Sequence, residues 1–122
     1  MRYLFLLNPT AGKRDCTAEL APAIQAAAQR AGIPPEKRKV VVTRYAGHAR
    51  ELAAEAAHTA QADGEPVRIW TAGGDGTFNE ALTGAQGCSL AAVGCLPFGS
   101  GNDFVRMFSD PKAFFDLERL LD

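Results

Sequence analysis

The stretch VRIWTAGGDGTFNEALTG, residues 67–84, decides how this chain folds. Val67-Arg68-Ile69-Trp70 is strand-like, with β-branched and aromatic side chains around a single arginine. Directly after it, Gly73, Gly74 and Gly76 surround Asp75, and then Phe78, Ala81 and Leu82 recur at helical spacing on one side. Strand, glycine loop and helix in that order form the first half of a βαβ unit. A glycine loop between them bares backbone N–H groups and lets a ligand approach the main chain.

The same alternation extends in both directions. Upstream, Tyr3 to Leu7 is continuously apolar and short, as expected of a strand covered on both faces, and it ends in the loop NPTAGKR. Leu20, Ile24, Ala27, Ala28 and Ala31 predict a helix from about Thr17 to Arg30, stopped by Gly32 and Pro34-Pro35. Val40 to Val42 predicts a second strand. Ala49, Leu52, Ala53, Ala56 and Ala60 predict an alanine-rich helix ending near Asp63-Gly64. Downstream, Leu90 to Leu96 predicts a fourth strand, closed by Pro97 and a second glycine loop, FGSGND. A helical turn or two over Asp103–Phe108 and a last helix carrying Phe114, Leu117 and Leu121 complete the reading. The connections are too long for hairpins, so the expected fold is α/β, a mostly parallel sheet with helices on both faces.

Bulk properties narrow the function. At 122 residues and 47% apolar content the chain has material for one domain with a packed core. Thirteen Lys and Arg against 14 Asp and Glu leave a net charge of -1, so no overall field recruits nucleic acid, and a charged ligand must be held locally. The first apolar run is too short for a signal peptide or a bilayer span, which leads to an expected cytoplasmic location. Cys16, Cys88 and Cys95 form no CxxC pair and argue against a disulfide framework or a thiolate zinc site. His48 and His58 stand about 80° apart on one predicted helix and over two turns from each other, so they do not form a metal site.

Three of the four strands end in small polar loops, and in an open parallel sheet such loops gather at one edge, where ligands bind. Glycine amides and the opening amides of the following helix suit a phosphate without a lysine. Two better-known phosphate patterns fail. NPTAGKR has Arg14 where a P-loop needs Ser or Thr, and GGDGTFN and FGSGNDF carry Asn79 and Phe104 in place of the third glycine of the dinucleotide fingerprint.

NPTAG at 8–12, GGDGTFNEALTG at 73–84 and LPFGSGNDFVR at 96–106 together resemble the diacylglycerol kinase catalytic-domain family, which includes bacterial lipid kinases and is similar to sphingosine and ceramide kinases. The resemblance spans nearly the whole chain. It implies a Rossmann-like fold similar to the N-terminal domain of lipid kinases and NAD kinases, and transfer of the ATP γ-phosphoryl to a lipid hydroxyl such as that of diacylglycerol. It implies ATP and Mg2+ as cofactors, and peripheral membrane contact by a full-length protein. It also implies that residues 1–122 are the nucleotide-binding domain of a longer kinase, with a β-rich second domain that holds the general base and completes the lipid cleft.

By the same resemblance Asn8, Pro9, Thr10, Ala11 and Gly12 border the nucleotide, and Thr43 contacts it. Gly73, Gly74, Asp75, Gly76, Thr77, Asn79 and Glu80 wrap the phosphates. Ser100, where the family often has threonine, offers a hydroxyl to phosphate. Asp75 and Asp103 are the acids expected to organise magnesium through water. Each has a plainer reading. Asp75 can brace its turn and Asp103 can cap a short helix. Asn79 and Glu80 can be first-turn residues that complement the helix dipole. Asn8 before Pro9 can be a turn pair, Lys13 a solvated lysine, and Trp70 a core residue beside the loop. An NAD kinase-like enzyme and a non-catalytic nucleotide sensor are the rival functions.

Overall fold

The structure, a computed structural model, describes residues 1–8, 17–72 and 75–95. Within them the chain runs β1 (Arg2–Leu7), α1 (Thr17–Arg30), a 3-10 turn at Pro35–Lys37, β2 (Arg38–Val42), α2 (His48–Asp63), β3 (Val67–Ala72), α3 (Asp75–Gly84) and β4 (Ala91–Cys95). All strands pair in parallel, in the order β2-β1-β3-β4. This is the parallel α/β fold that the alternation of apolar runs predicts.

The two central strands carry the core because both of their faces are covered. Tyr3, Phe5 and Leu7 of β1 and Trp70 and Ala72 of β3 face one way and pack with Ile24 and Ala28 of α1. Leu4 and Leu6 of β1 and Val67 and Ile69 of β3 face the other way, against Ala49, Ala53, Ala57 and Ala60 of α2 and Ala81 of α3. The period of two along each strand thus sorts its side chains into two separate cores. Trp70 is fully buried, as its place in a strand suggests. Alanine at each docking position of α2 lets the helix lie close to the sheet, so most of the apolar volume comes from the strands.

Helix ends follow the glycines. Gly64 adopts the left-handed conformation (φ 68°) that closes α2, its N–H donates to the Ala60 carbonyl, and the Glu65 N–H reaches the same oxygen at 3.2 Å. That geometry satisfies carbonyls the helix leaves open and turns the chain into β3.

Two boundaries and one buried helix face differ from the sequence expectation. β2 begins at Arg38 and not at Val40, because Arg38 and Lys39 pair with Tyr3 and Leu4 through the backbone, which is indifferent to their polar side chains. α3 begins at Asp75, inside the stretch read from sequence as the glycine loop, with the acid at the positive end of the helix. The apolar side of α3 is also rotated from the one expected: Ala81 is buried, Phe78 is half-buried, and Leu82 is 43% exposed. Thr77, Ala81 and Ala85 are buried instead, because α3 packs against α2 as well as the sheet. The helices expected beyond Asp103, and Leu96 at the end of β4, lie outside the described residues.

Candidate functional site

Strand order locates the site. From β1 the chain crosses to β2 on one side, and it later returns to β3 on the other side of β1. The crevice between the carboxyl ends of β1 and β3 is therefore the switch point of the sheet, where open parallel folds gather ligands. Asn8 leaves β1 there, and α3 opens there three residues after Ala72.

The crevice is closed by two bonds from one residue. The Asn8 N–H donates to the Ala72 carbonyl at 2.8 Å, extending the ladder by one step. The side-chain amide of Asn8 donates to the Thr77 hydroxyl at 3.1 Å. Asn8 is half-buried and Thr77 buried. The first turn of α3 is thus fixed against the end of β1, and its opening amides, which no helix can satisfy internally, lie at the carboxyl edge. Gly76 in this turn is exposed, and a Cβ placed on it meets nothing within 4 Å. The backbone there is open to an approaching ligand.

Thr43 follows β2 at the same edge. It is buried, its N–H donates to the Leu7 carbonyl at 2.8 Å, and its hydroxyl donates to the same oxygen at 3.3 Å. Asn79 is exposed one turn into α3. Glu80 is half-buried and accepts the Gly47 N–H at 3.1 Å. Asn8, Thr43, Thr77 and the start of α3 at Asp75 therefore share one edge of the sheet, as their positions after strands predict. Pro9, Thr10, Ala11, Gly12, Lys13, Gly73, Gly74, Ser100, Asp103 and the side chain of Asp75 lie outside the described residues.

Sequence reading noticed His48 but gave Tyr45, in the turn between β2 and α2, no part in the site. There the Tyr45 ring stacks on His48 with centroids 4.4 Å apart and planes 14° from parallel. The Tyr45 hydroxyl donates to Glu51, and the Arg44 N–H donates to His48 Nδ1 at 3.0 Å. The Glu51 carboxylate raises the Tyr45 phenol above its ordinary value, first through that hydrogen bond. Tyr45 is 56% exposed, so this ordered aromatic pair stands beside Thr43 at the rim of the edge. An aromatic and a histidine three apart at a helix start carry too weak a pattern to be singled out without the fold.

Among the described residues no three His, Cys, Asp or Glu side chains gather as a cation site. None of the described helices is long and apolar enough to cross a membrane. At the opposite, amino end of the sheet a depression of about 310 Å³ is bordered by Arg2, Lys37, Lys39, Leu52 and Glu55. Beside it Glu65 is held by Lys37 at 2.8 Å, the Met1 amino group at 3.2 Å and Arg2 at 2.8 Å. The Lys37 hydrogen bond and then the amino terminus lower the Glu65 carboxyl to about 2.

A parallel sheet whose switch point is sealed by an asparagine onto the first turn of a glycine-loop helix is an α/β domain built to present backbone amides at its carboxyl edge. The chain belongs to the diacylglycerol kinase catalytic domain family, whose profile matches residues 2–121. It is 35% identical over 111 residues to sphingoid long-chain bases kinase 1 of Arabidopsis thaliana, covering 85% of this chain and 14% of that protein. It is 35% identical over 112 residues to a diacylglycerol kinase of Bacillus subtilis (strain 168), covering 91% of this chain and 34% of that protein. The crystal structure of a diacylglycerol kinase from Bacillus anthracis str. Sterne superposes with a TM-score of 0.55 at 24% identity, over 91% of this chain and 38% of that one. The chain thus spans about a third or less of the length of these two curated relatives.

Proposed function

We propose that this chain is the nucleotide-binding domain of an ATP-dependent lipid kinase, which transfers the γ-phosphoryl of ATP to a lipid hydroxyl, with diacylglycerol as the leading acceptor. The observation that carries the reading is the Asn8–Thr77 bond, which fixes the amino end of the glycine-loop helix at the switch point of the sheet. Amides held there meet a polyphosphate without prior rearrangement, and preorganised donors stabilise the charge that builds on phosphate oxygens during transfer. The names of the relatives, a diacylglycerol kinase and a sphingoid-base kinase, support a lipid acceptor.

In this proposal the backbone of residues 73–77 cradles the phosphates, with Asn8 to Gly12, Thr43, Asn79 and Ser100 around them. Magnesium neutralises phosphate charge and is organised through water by Asp75 and Asp103. Asp75 opens α3 at the carboxyl edge, an appropriate place for such an acid. A β-rich second domain supplies the general base and the wall that receives the lipid, and meets the membrane as a peripheral protein.

The test is a transfer assay. The intact protein, ATP, magnesium and dispersed diacylglycerol are expected to yield phosphatidic acid, whereas residues 1–122 alone are expected to yield none. Phosphoryl transfer needs acceptor and phosphate in line, and misplacement of about 1 Å can cost about 100-fold. Transfer to NAD in place of any lipid would move the function to the NAD kinase reading. Tight ATP binding with no acceptor phosphorylated would favour a sensor.

A further inference from the structure

We infer that Glu80 is a positioning residue: its carboxylate caps the amino end of α2 and through that contact fixes α3 and the amides α3 presents. The inference rests on the nucleotide-binding reading, and it gives Glu80 a different task from contact with phosphate or metal.

The N-cap residue of α2 supplies no side-chain cap, although the His48 N–H donates to the Tyr45 carbonyl at 3.1 Å. That residue is Gly47, in a left-handed conformation (φ 90°) with no side chain to accept an amide. Helix amino ends favour an oxygen acceptor and negative charge, and Ser, Thr, Asp or Asn ordinarily supplies it locally. Here a carboxylate reaches the amino end from 33 positions away and accepts the N–H of the N-cap residue itself, Gly47 to Glu80 Oε1 at 3.1 Å, the bond a capping-box glutamate makes. The carboxylate thus faces the positive end of α2, where a second anion from a ligand would be repelled.

The contact is one of three along a single face of α3. Thr77, Glu80 and Gly84 follow three-and-four spacing, so they lie in a row. Thr77 meets Asn8 at the end of β1. Glu80 meets Gly47 at the start of α2. Gly84 lies so close to the first turns of α2 that a Cβ on it would come 2.2 Å from the Arg50 carbonyl oxygen and 3.0 Å from the Ala54 nitrogen. Gly84 sets how near the helices come, but a bare backbone contact lets one slide along the other. Directional bonds at Glu80 and Thr77 remove that freedom, and they do so next to the turn whose amides are exposed.

Glutamine keeps the accepting oxygen and the length of the side chain, whereas alanine removes both. The intact protein is compared as wild type, Glu80→Gln and Glu80→Ala, by ADP calorimetry at several magnesium concentrations and by the amide NMR signal of Gly47. Glu80→Gln is expected to leave the Gly47 signal, the ADP affinity and its magnesium dependence close to wild type. Glu80→Ala is expected to shift the Gly47 signal and weaken ADP on the order of 10-fold, part of the cost of a misplaced cradle. If Glu80→Gln weakens ADP as much as alanine does while the Gly47 signal stays in place, the carboxylate acts on the ligand and the inference falls. It falls too if Glu80→Ala lowers Tm but leaves ADP affinity unchanged, since the contact is then structural only. Wild-type protein that binds no ADP would overturn the nucleotide reading itself, and the Gly47 signal would distinguish that failure from loss of the cap.

Discussion

Asn8 and Thr77, 69 residues apart in sequence, are joined side chain to side chain at 3.1 Å across the switch point of the sheet. The bond links the end of β1 to the first turn of α3 and makes one rigid corner from two separate motifs. Asn8→Ala removes it and leaves the buried Thr77 hydroxyl without this partner. A cost of about 0.5–1.5 kcal/mol is expected in urea unfolding. ADP affinity is expected to fall together with stability. Unchanged unfolding and unchanged affinity would mean the corner is held by the backbone alone.

Packing of the two helices on the same face gives a second prediction. A methyl group at Gly84 would overlap the Arg50 carbonyl, which is backbone and cannot rotate aside. Gly84→Ala is expected to destabilise by about 1–3 kcal/mol, the usual cost of overpacking, despite the better helix propensity of alanine. Leu82→Lys, one position beyond the buried face, is expected to stay within about 0.5 kcal/mol. Equal effects at the two positions would contradict the packing described.

How much of this was legible beforehand depends on the kind of interaction. The sheet could be read because strands covered on both faces are predominantly apolar: Tyr3–Leu7 is continuously so, and in Val67–Ala72 only Arg68 and Thr71 interrupt the run. The clustering of Asn8, Thr43 and Thr77 could be read because each follows a strand and parallel strands end together. The start of β2 at Arg38 was hidden, because an edge strand pairs through its backbone whatever its side chains are. The exposed Leu82 and the task of Glu80 were hidden too. Which face of α3 is buried is decided by α2, and a carboxylate that caps a helix 33 residues upstream leaves no local pattern.

Acid provides a test far from the site. Glu65, held at about 2 against an ordinary 4.5, has a depressed carboxyl in the folded state, so its stabilising contribution is complete above 4.5 and lost as pH falls from there through about 2. Glu65→Gln is expected to flatten the decline of Tm across that window and to leave ADP affinity at neutral pH unaltered, since Lys37, Arg2 and Met1 surround it at the amino edge. A wild-type Tm that does not fall between pH 4.5 and 2 would contradict the ion-pair network.

The central claim, that the opening turn of α3 is a phosphate cradle, is tested most directly by calorimetry of ATP with magnesium on wild type and Gly76→Val. The position is exposed and a Cβ there has open space, so the variant is expected to fold with helix content intact. The added side chain stands where a ligand must approach the backbone, and losing one charge-assisted bond to phosphate alone costs about 1.5–3 kcal/mol. The account predicts ATP binding by wild type and affinity lower by at least 10-fold in the variant, a factor that corresponds to about 1.4 kcal/mol. A folded Gly76→Val protein that binds ATP as tightly as wild type would contradict it.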